Sequence, residues 1–517
     1  MNYIAKNIYF VTNNMPRSHG GRTKSMLQRA RLLTSVLSNN VYILTTRYNN
    51  DYWIIWDDFQ RRKLINNKVH CINLYHDLML NRYSKGNNNI INELISFKFF
   101  KENTFVNILD IIQNAFNMSS EIISEEFIID GFSVKLQYRD SLLDAEEKRL
   151  YSIRVIDNIS LDINIEFFLD HNNNLIRTCR YNENGLLVSE RFVDRVGTEY
   201  FNKRYEYQDG KRKMIDMLYY NGIYNKGDTK VFKSYRQLYA FWFKNVMSSN
   251  SFVICDVRNY DRALTDVRSR SRGMYLTCLF HSNHQSSSAY KYIIDNHDKL
   301  DKIITLTERQ YEDLKNIIPS KKMSVVPHSI EIPNLINANE RRNFVVLSRL
   351  AKSKQIDHIF HAFQQVVIKD PNVILDLYGD GDQEEELKEL AINLNIDDNV
   401  IFHGKTETPF EVFQQSKCSI VASKFEGFAL TIEESLANGC PVVSYDLKYG
   451  PSDMIQHGIN GFLVEEGDIE GLANKLKLIA SNKISFDEKS IQASMKNFTH
   501  DKFIENWLGL FEESVSF

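Results

Sequence analysis

At 517 residues the chain is too long for one compact core, and ordinary domain sizes divide it into roughly two to four units. Hydrophobic residues at 43% and charged residues at 25% exclude global disorder. A net charge of -3 excludes a molecule-wide field for polyanions, so no nucleic-acid partner is expected and any basic site must be local.

The six cysteines, Cys71, Cys179, Cys255, Cys278, Cys418 and Cys440, stand singly, several inside apolar runs such as FVICD and LTCLF. They predict buried thiols in a reducing compartment, neither a disulfide framework nor a zinc site. The N-terminal MNYIAKNIYFVTNN lacks a basic start and a small-residue cleavage site, and no apolar run approaches the roughly 18 residues of a membrane span. A cytoplasmic protein is expected.

In chain order, the apolar run Ile8–Thr12 leads into the loop NNMPRSHGG, after which Met26, Leu27, Ala30, Leu33 and Leu37 recur at helical spacing. Val41–Thr46 supplies a second buried strand, giving a βαβ unit of a parallel sheet. From about residue 122 to 231 the texture changes. Segments such as FSVKLQY, YSIRVID and LDINIEFFLD alternate polar and apolar residues between the turn signals HNNN, NENG and QDGK. That pattern predicts an inserted antiparallel β meander. The α/β pattern resumes with Phe252–Asp256, Met274–His281, Lys302–Thr307 and Met323–His328. A second series follows, Phe344–Arg349, Val373–Gly379, Val400–Gly404, Cys418–Ser423, Pro441–Asp446 and Gly461–Val464, predicting a second doubly wound sheet. The expected division is a first α/β lobe over 1–118 and 233–334, an inserted β domain over 119–232, a second lobe over 335–490, and a last helix, 491–517, crossing back to the first lobe.

Ligands of open α/β sheets sit beyond the carboxyl ends of the strands, and four features fall there. In SRLAKSK, Arg349 and Lys354 leave a strand end five residues apart, where two cations neutralise a diphosphate leaving group. In SKFEGFALTIEES, Glu426 and Glu434 are separated by seven residues, with Gly427 opening a turn into a helix. Two carboxylates accept hydrogen bonds from sugar hydroxyls, and a helix start offers free N–H groups. The Gly20-Gly21 loop before Arg22, Thr23 and Lys24 allows close approach of backbone to phosphate. The fourth is FHSNHQ, with His284 preferred over His281 as the histidine facing a cleft between lobes. Each has a plainer reading alone: solvated cations, an acid favoured at a helix start, an ordinary turn, a core histidine. No His, Cys and Asp cluster has metal-ligand spacing and no Asp-x-Asp follows a strand, so no metal and no cofactor is expected.

SRLAKSK, EGFALTIEES and YDLKYGPSDMIQHGINGFLV together resemble the donor lobe of retaining GT-B glycosyltransferases, with two Rossmann-like lobes. The closer likeness is to bacterial wall teichoic acid α-glycosyltransferases, including poly(glycerol-phosphate) α-glucosyltransferases. GGRTKSMLQRARLL and the β insertion extend it over nearly the whole chain. The resemblance implies a UDP-sugar donor, retention of configuration, and a front-face reaction in which donor phosphate assists deprotonation of the acceptor hydroxyl. By position it implies Arg349 and Lys354 on the diphosphate, Glu426 on the sugar, Glu434 on the ribose and Gly21 near the phosphates. Gly427, Phe428, Ala429, Leu430 and Thr431 complete the donor loop; Ala429 stands where relatives often have glycine, a change expected to tighten the sugar pocket. In related enzymes the β insertion forms a trimer hub, so a homotrimer is expected. A teichoic acid acceptor is a polyanion, and RNYDRALTDVRSRSRG offers Arg268, Arg270 and Arg272, which share one face if extended. A lipid-linked acceptor would draw the enzyme to the inner membrane face.

The leading expectation is therefore transfer of glucose from UDP-glucose to glycerol-phosphate units. N-acetylglucosamine transfer to a ribitol-phosphate polymer is the nearest variant. A protein O-glycosyltransferase acting on Ser-rich or Ser-Asp-repeat adhesins, a nucleotide-sugar epimerase, and a non-catalytic acceptor-binding scaffold remain as alternatives.

Overall fold

Short runs that are apolar on both sides of the pleat form the strands of two parallel sheets, because such strands are covered by helices on each face. The computed structural model describes residues 7–17, 21–49, 52–81, 111–112, 115, 124–129, 132–140, 148–159, 164–170, 172–194, 197–220, 222–223, 226–271, 273–285, 287–335 and 341–515. The first sheet has seven strands in the spatial order Met323–Val325, Lys302–Thr305, Met274–Phe280, Ser251–Cys255, Asn7–Thr12, Val41–Thr45, Val69–Asn73, all paired in parallel. Ile8 and Phe10 pack on one face while Tyr9 and Val11 pack on the other, each in a separate cluster. The order of strands reverses between Asn7–Thr12 and Ser251–Cys255. The sequence pattern does not announce Val69–Asn73, whose VHCIN interleaves polar and apolar residues in only five positions.

The insertion is a nine-stranded antiparallel sheet in strictly sequential order, from the edge strand Ser124–Ile129 to the edge strand Lys230–Phe232. Its far end has a core of its own around Val134, Ile153 and Phe167. At the near end Phe192, Phe201, Met217 and Phe232 share a cluster with Tyr9, Val253 and Leu276 of the first sheet. Tyr48 meets Phe192 edge-on with ring centroids 4.9 Å apart. The β unit is thus fused into the first lobe's core.

The second parallel sheet runs Val400–Gly404, Leu375–Tyr378, Phe344–Leu347, Cys418–Val421, Val442–Tyr445, Gly461–Val464. Its order reverses between Phe344–Leu347 and Cys418–Val421, the strands that precede SRLAKSK and SKFEG. The helix His500–Val515 lies on the first sheet, with Phe511 edge-on to Phe252 at 4.6 Å and Lys302 paired to Glu513 at 2.6 Å. All six thiols are free and all but Cys71 are buried. No helix among the described residues is long and apolar enough to cross a membrane.

Candidate active site

Two loops leave the second sheet where its strand order reverses, which in an open α/β sheet is the place a crevice forms. The SRLAKSK loop is fixed from one side by the turn Gly379–Asp380–Gly381. The Ser348 amide donates to Tyr378 O at 2.9 Å and the Leu350 amide to Asp380 O at 2.8 Å. A Cβ on Gly379 would lie 1.8 Å from Ser348 O and one on Gly381 2.1 Å from Leu350 O, so only glycine fits both positions. From the other side the Lys424 amide donates to Ser353 O at 2.9 Å. This join brings Lys354 against Glu426: the ammonium pairs with Glu426 Oε1, which also accepts from Ser423 Oγ at 2.8 Å. Arg349 is exposed; its carbonyl accepts from the Ala351 amide at 2.9 Å and Ser348 Oγ at 3.3 Å, while its guanidinium makes no hydrogen bond or ion pair with the described residues. The loops therefore present one uncommitted guanidinium, one lysine and one carboxylate together, the set a sugar diphosphate needs.

The donor loop is also pressed against the first lobe. A Cβ on Gly427 would sit 1.8 Å from His281 O, and one on Gly21 2.6 Å from Leu430 Cδ1. Gly21 opens the helix Gly21–Val36, so its missing side chain lets the two lobes meet there. Phe428 is buried edge-on to His328 at 5.1 Å and near Phe498, a packing position between lobes rather than a face of a sugar pocket. Ala429 has φ 67° and ψ 63°, a left-handed conformation that costs a residue with a Cβ about 1 kcal/mol. This is the physical reason glycine suits that position. Thr431 is half-buried in the first turn of the helix Leu430–Ala437. Glu434, on the same helix, pairs with Lys24 of the first lobe at 2.5 Å. Phe425, 54% exposed beside Glu426, is an aromatic surface that the sequence pattern does not single out.

Across the cleft, His281 directly follows the strand Met274–Phe280, and its Nε2 lies 2.7 Å from Asp256 Oδ1. Asp256 follows the neighbouring strand and also receives Arg29 at 2.6 Å. Burial would raise the Asp256 carboxyl, but Arg29 and His281 prevail and hold it at about 2. The same burial lowers the His281 pKa against the pull of Asp256. A neutral imidazole donating Nε2–H to the carboxylate keeps Nδ1 as an acceptor. Arg29, 3% exposed, is stacked over Phe10 and near Trp507, so the last helix helps hold this network. His328 stacks on His281 at 5.8 Å. His284 is buried as well, but it stacks on Tyr449 of the second lobe at 5.9 Å with nearly parallel rings. Sequence reasoning missed Arg29, Asp256 and His328. Asp256 and His328 had a visible signal, a polar residue at or just beyond the end of an apolar strand.

A clasp closes one side of the cleft. Arg309 pairs with Asp446 at 2.6 Å, and Asp313 takes Lys448 at 2.8 Å and the Tyr449 hydroxyl at 2.7 Å.

The expected arginine track requires correction. Arg268 is the last residue of the helix Asp261–Arg268, where it grips Asp301 with two hydrogen bonds of 2.8 and 2.9 Å. Ser269 continues in a helical conformation, so Arg268 and Arg270 do not share an extended face. Helix propagation from Asp261 and the buried face of Ala263, Leu264 and Val267 override alternation. Arg272 and Gly20 lie outside the described residues.

Tertiary structure also gathers Cys255, Asp261 and Cys278 in the first lobe's interior, within 4.8 Å of one another. The Cys255 thiol donates to Val257 O at 2.9 Å, and Arg258 lies 3.6 Å from Asp261, whose buried Oδ2 accepts no hydrogen bond among the described residues.

Residues 329–497 match the family of glycosyl transferases group 1. The chain is 25% identical to the poly(glycerol-phosphate) alpha-glucosyltransferase of Bacillus subtilis (strain 168), over 96% of this chain and 74% of that enzyme. It is 24% identical to the poly(ribitol-phosphate) alpha-N-acetylglucosaminyltransferase of Staphylococcus aureus (strain COL), over 98% of this chain and 99% of that one. The crystal structure of a mutant of S. aureus TarM in complex with fondaparinux, alpha-GlcNAc-glycerol and UDP matches with a TM-score of 0.74 at 21% identity, over 98% of this chain and 99% of that one. That likeness carries the fold: two Rossmann-like lobes with an inserted antiparallel sheet.

Proposed function

From the premise that this chain is a glycosyltransferase of GT-B fold with a group 1 donor lobe, resembling the teichoic acid α-glycosyltransferases, we propose that it transfers glucose from UDP-glucose to glycerol-phosphate units of wall teichoic acid with retention of configuration. The observation that carries the reading is the pairing of Lys354 with Glu426 at the strand-order reversal of the second sheet, with the exposed Arg349 on the same loop as Lys354. Arg349 and Lys354 take the diphosphate and stabilise the charge that develops as it leaves. With Lys354 engaged by phosphate, Glu426 accepts from sugar hydroxyls. Glu434 exchanges Lys24 for the ribose hydroxyls. Neutral His281, oriented by Asp256, offers an acceptor nitrogen to a hydroxyl near the transferred sugar. A donor phosphate oxygen receives the acceptor's proton on the face from which UDP departs. The two cations supply the neutralisation, so the reaction is metal-independent.

The chain forms a homotrimer through the insertion, whose edge strand Ser124–Ile129 leaves Ile128 75% exposed. Protein and polymer acceptors are ranked by coverage. The pneumococcal UDP-N-acetylglucosamine–peptide N-acetylglucosaminyltransferase GtfA subunit is 24% identical over only 67% of this chain. The test is a donor screen: UDP release from UDP-glucose and UDP-N-acetylglucosamine, with poly(glycerol phosphate), poly(ribitol phosphate) or a Ser-rich peptide. Release from UDP-glucose stimulated by poly(glycerol phosphate) is expected. Labelling of the peptide alone refutes the reading.

A further inference from the structure

The strands Ser251–Cys255 and Met274–Phe280 run in parallel with Cys255 directly opposite Cys278. Both side chains enter the core cluster shared by Ala263, Leu264 and Val267 of the helix Asp261–Arg268. Asp261 opens that helix and sets its Oδ1 3.5 Å from Cys255 Sγ and 3.7 Å from Cys278 Sγ. Two strands and a helix start thus supply two thiols and a carboxylate, all ligand atoms within 4.8 Å of one another and each residue at most 2% exposed. Around a tetrahedral zinc ion, bonds of about 2.3 Å to sulfur and about 2.0 Å to oxygen hold neighbouring sulfur and oxygen ligands about 3.5 Å apart. Both sulfur–oxygen distances match that spacing. A second observation is independent of the distances: Asp261 Oδ2 is buried and accepts no hydrogen bond among the described residues. Arg258 Nε stands 3.6 Å from it, and Arg258 Nη2 is spent on Cys255 O at 2.6 Å.

We propose that Cys255, Cys278 and Asp261 hold a thiophilic divalent cation of the zinc class as a structural ion of the first lobe. Val257 O, 2.9 Å from the Cys255 sulfur, is within reach as a fourth ligand. Two sulfurs with oxygen select zinc over magnesium or calcium, which take oxygen ligands. Charge balances on binding. The ion's two positive charges replace the two thiol protons, which leave to solvent as two metal–sulfur bonds form, and Arg258 stays as counter-ion to the Asp261 carboxylate. The exchange adds no net charge to the buried group, which removes the main penalty on placing an ion there. Spacing along the chain hides the set, since Asp261 stands 6 residues from Cys255 and 17 from Cys278 and only strand register joins them. The ion lies off the transfer path. Cys255 and Asp256 are consecutive, and alternation sends Asp256 to the other face of the sheet, where Arg29 and His281 meet it.

Because the helix covers the group, the ion enters as the chain folds, so the test loads it during synthesis. Full-length enzyme is produced in minimal medium supplemented with zinc or with cobalt, and bound metal is measured by elemental analysis and by absorption. Wild type is expected to carry one equivalent of metal per chain, and its cobalt form to show a sulfur-to-cobalt charge-transfer band. Cys255→Ala with Cys278→Ala is expected to lose both the metal and the band. Cys278→Ala alone, a milder change, is expected to halve the band, because its intensity counts thiolates. Cys418→Ala with Cys440→Ala is the matched control: both thiols are buried in the second lobe and form no such group with a carboxylate among the described residues, so metal and band are expected to persist. Wild type with neither bound zinc nor a cobalt–sulfur band overturns the proposal by itself. A band unchanged in the Cys278 variant, or lost in the control pair, places the ion elsewhere and also overturns it. A Cys255–Cys278 disulfide found by mass in the purified enzyme gives the pair to redox chemistry and overturns it as well.

Discussion

Gly427→Ala tests whether the donor loop works only when pressed against the histidine strand. The new Cβ would lie 1.8 Å from His281 O, 2.6 Å from its carbonyl carbon and 3.0 Å from Ser282 Cα, all backbone atoms that no rotamer change relieves. Reaching even the 3.0 Å limit of real Cβ contacts requires the loop to retreat by about 1.2 Å. Glu426 is the adjacent residue and moves with it, away from His281 and Asp256. A displacement of that size at a reacting centre costs about a hundredfold in rate. The strain falls between lobes, so the loss of stability stays within about 1–3 kcal/mol. Steady-state UDP release gives kcat/KM and a urea titration gives stability. Gly509→Ala is the matched control, with nothing within 4 Å of its added methyl. A Gly427→Ala enzyme within about threefold of wild type would refute the argument that glycine is needed for lobe contact.

Arg349→Met is expected to lower kcat by about a hundredfold to a thousandfold with the thermal midpoint unchanged, because the exposed guanidinium has no side-chain partner among the described residues to lose. Dialysis against EDTA is expected to leave UDP release unaltered; loss of activity restored by one divalent ion contradicts the metal-independent proposal. Burial, then the neighbouring His281, hold His328 well below its ordinary pKa. The unfolded chain takes up that proton near pH 6.5 and the folded one does not, so this contribution is complete above 6.5 and is lost as pH falls. Wild type should therefore lose about 1.4 kcal/mol more per pH unit below 6.5 than His328→Asn does, and parallel curves of urea midpoint against pH would contradict this. Ile128→Lys is expected to reduce a trimer to monomers in light scattering; an unchanged mass removes the edge strand from the interface.

The strands of both parallel sheets were legible because runs such as FVVL and CSIV are apolar on both faces, a pattern short parallel strands share with little else. The meander was legible from alternation broken by turn residues. The donor residues were legible because strand ends, glycines and charges recur within a dozen positions of one another. VHCIN was not, since a five-residue strand with a polar residue at every second or third position carries too little periodicity.

Local hydrophobic patterning sets where strands stop, so it alone places Arg349, Lys354 and Glu426 in loops beyond strand ends and Glu434 in the helical stretch that follows. Only the tertiary structure decided which strands are neighbours, and so that the two loops flank the reversal point of one sheet. It also decided that Arg29, Asp256 and His281 form one buried network although Asp256 stands 227 residues from Arg29. It turned Arg268 toward Asp301 and left Arg270 beside Lys230 and Lys244. The physical reason is the same in each case: side-chain pairs separated by hundreds of residues depend on strand order and lobe packing, which local periodicity does not encode.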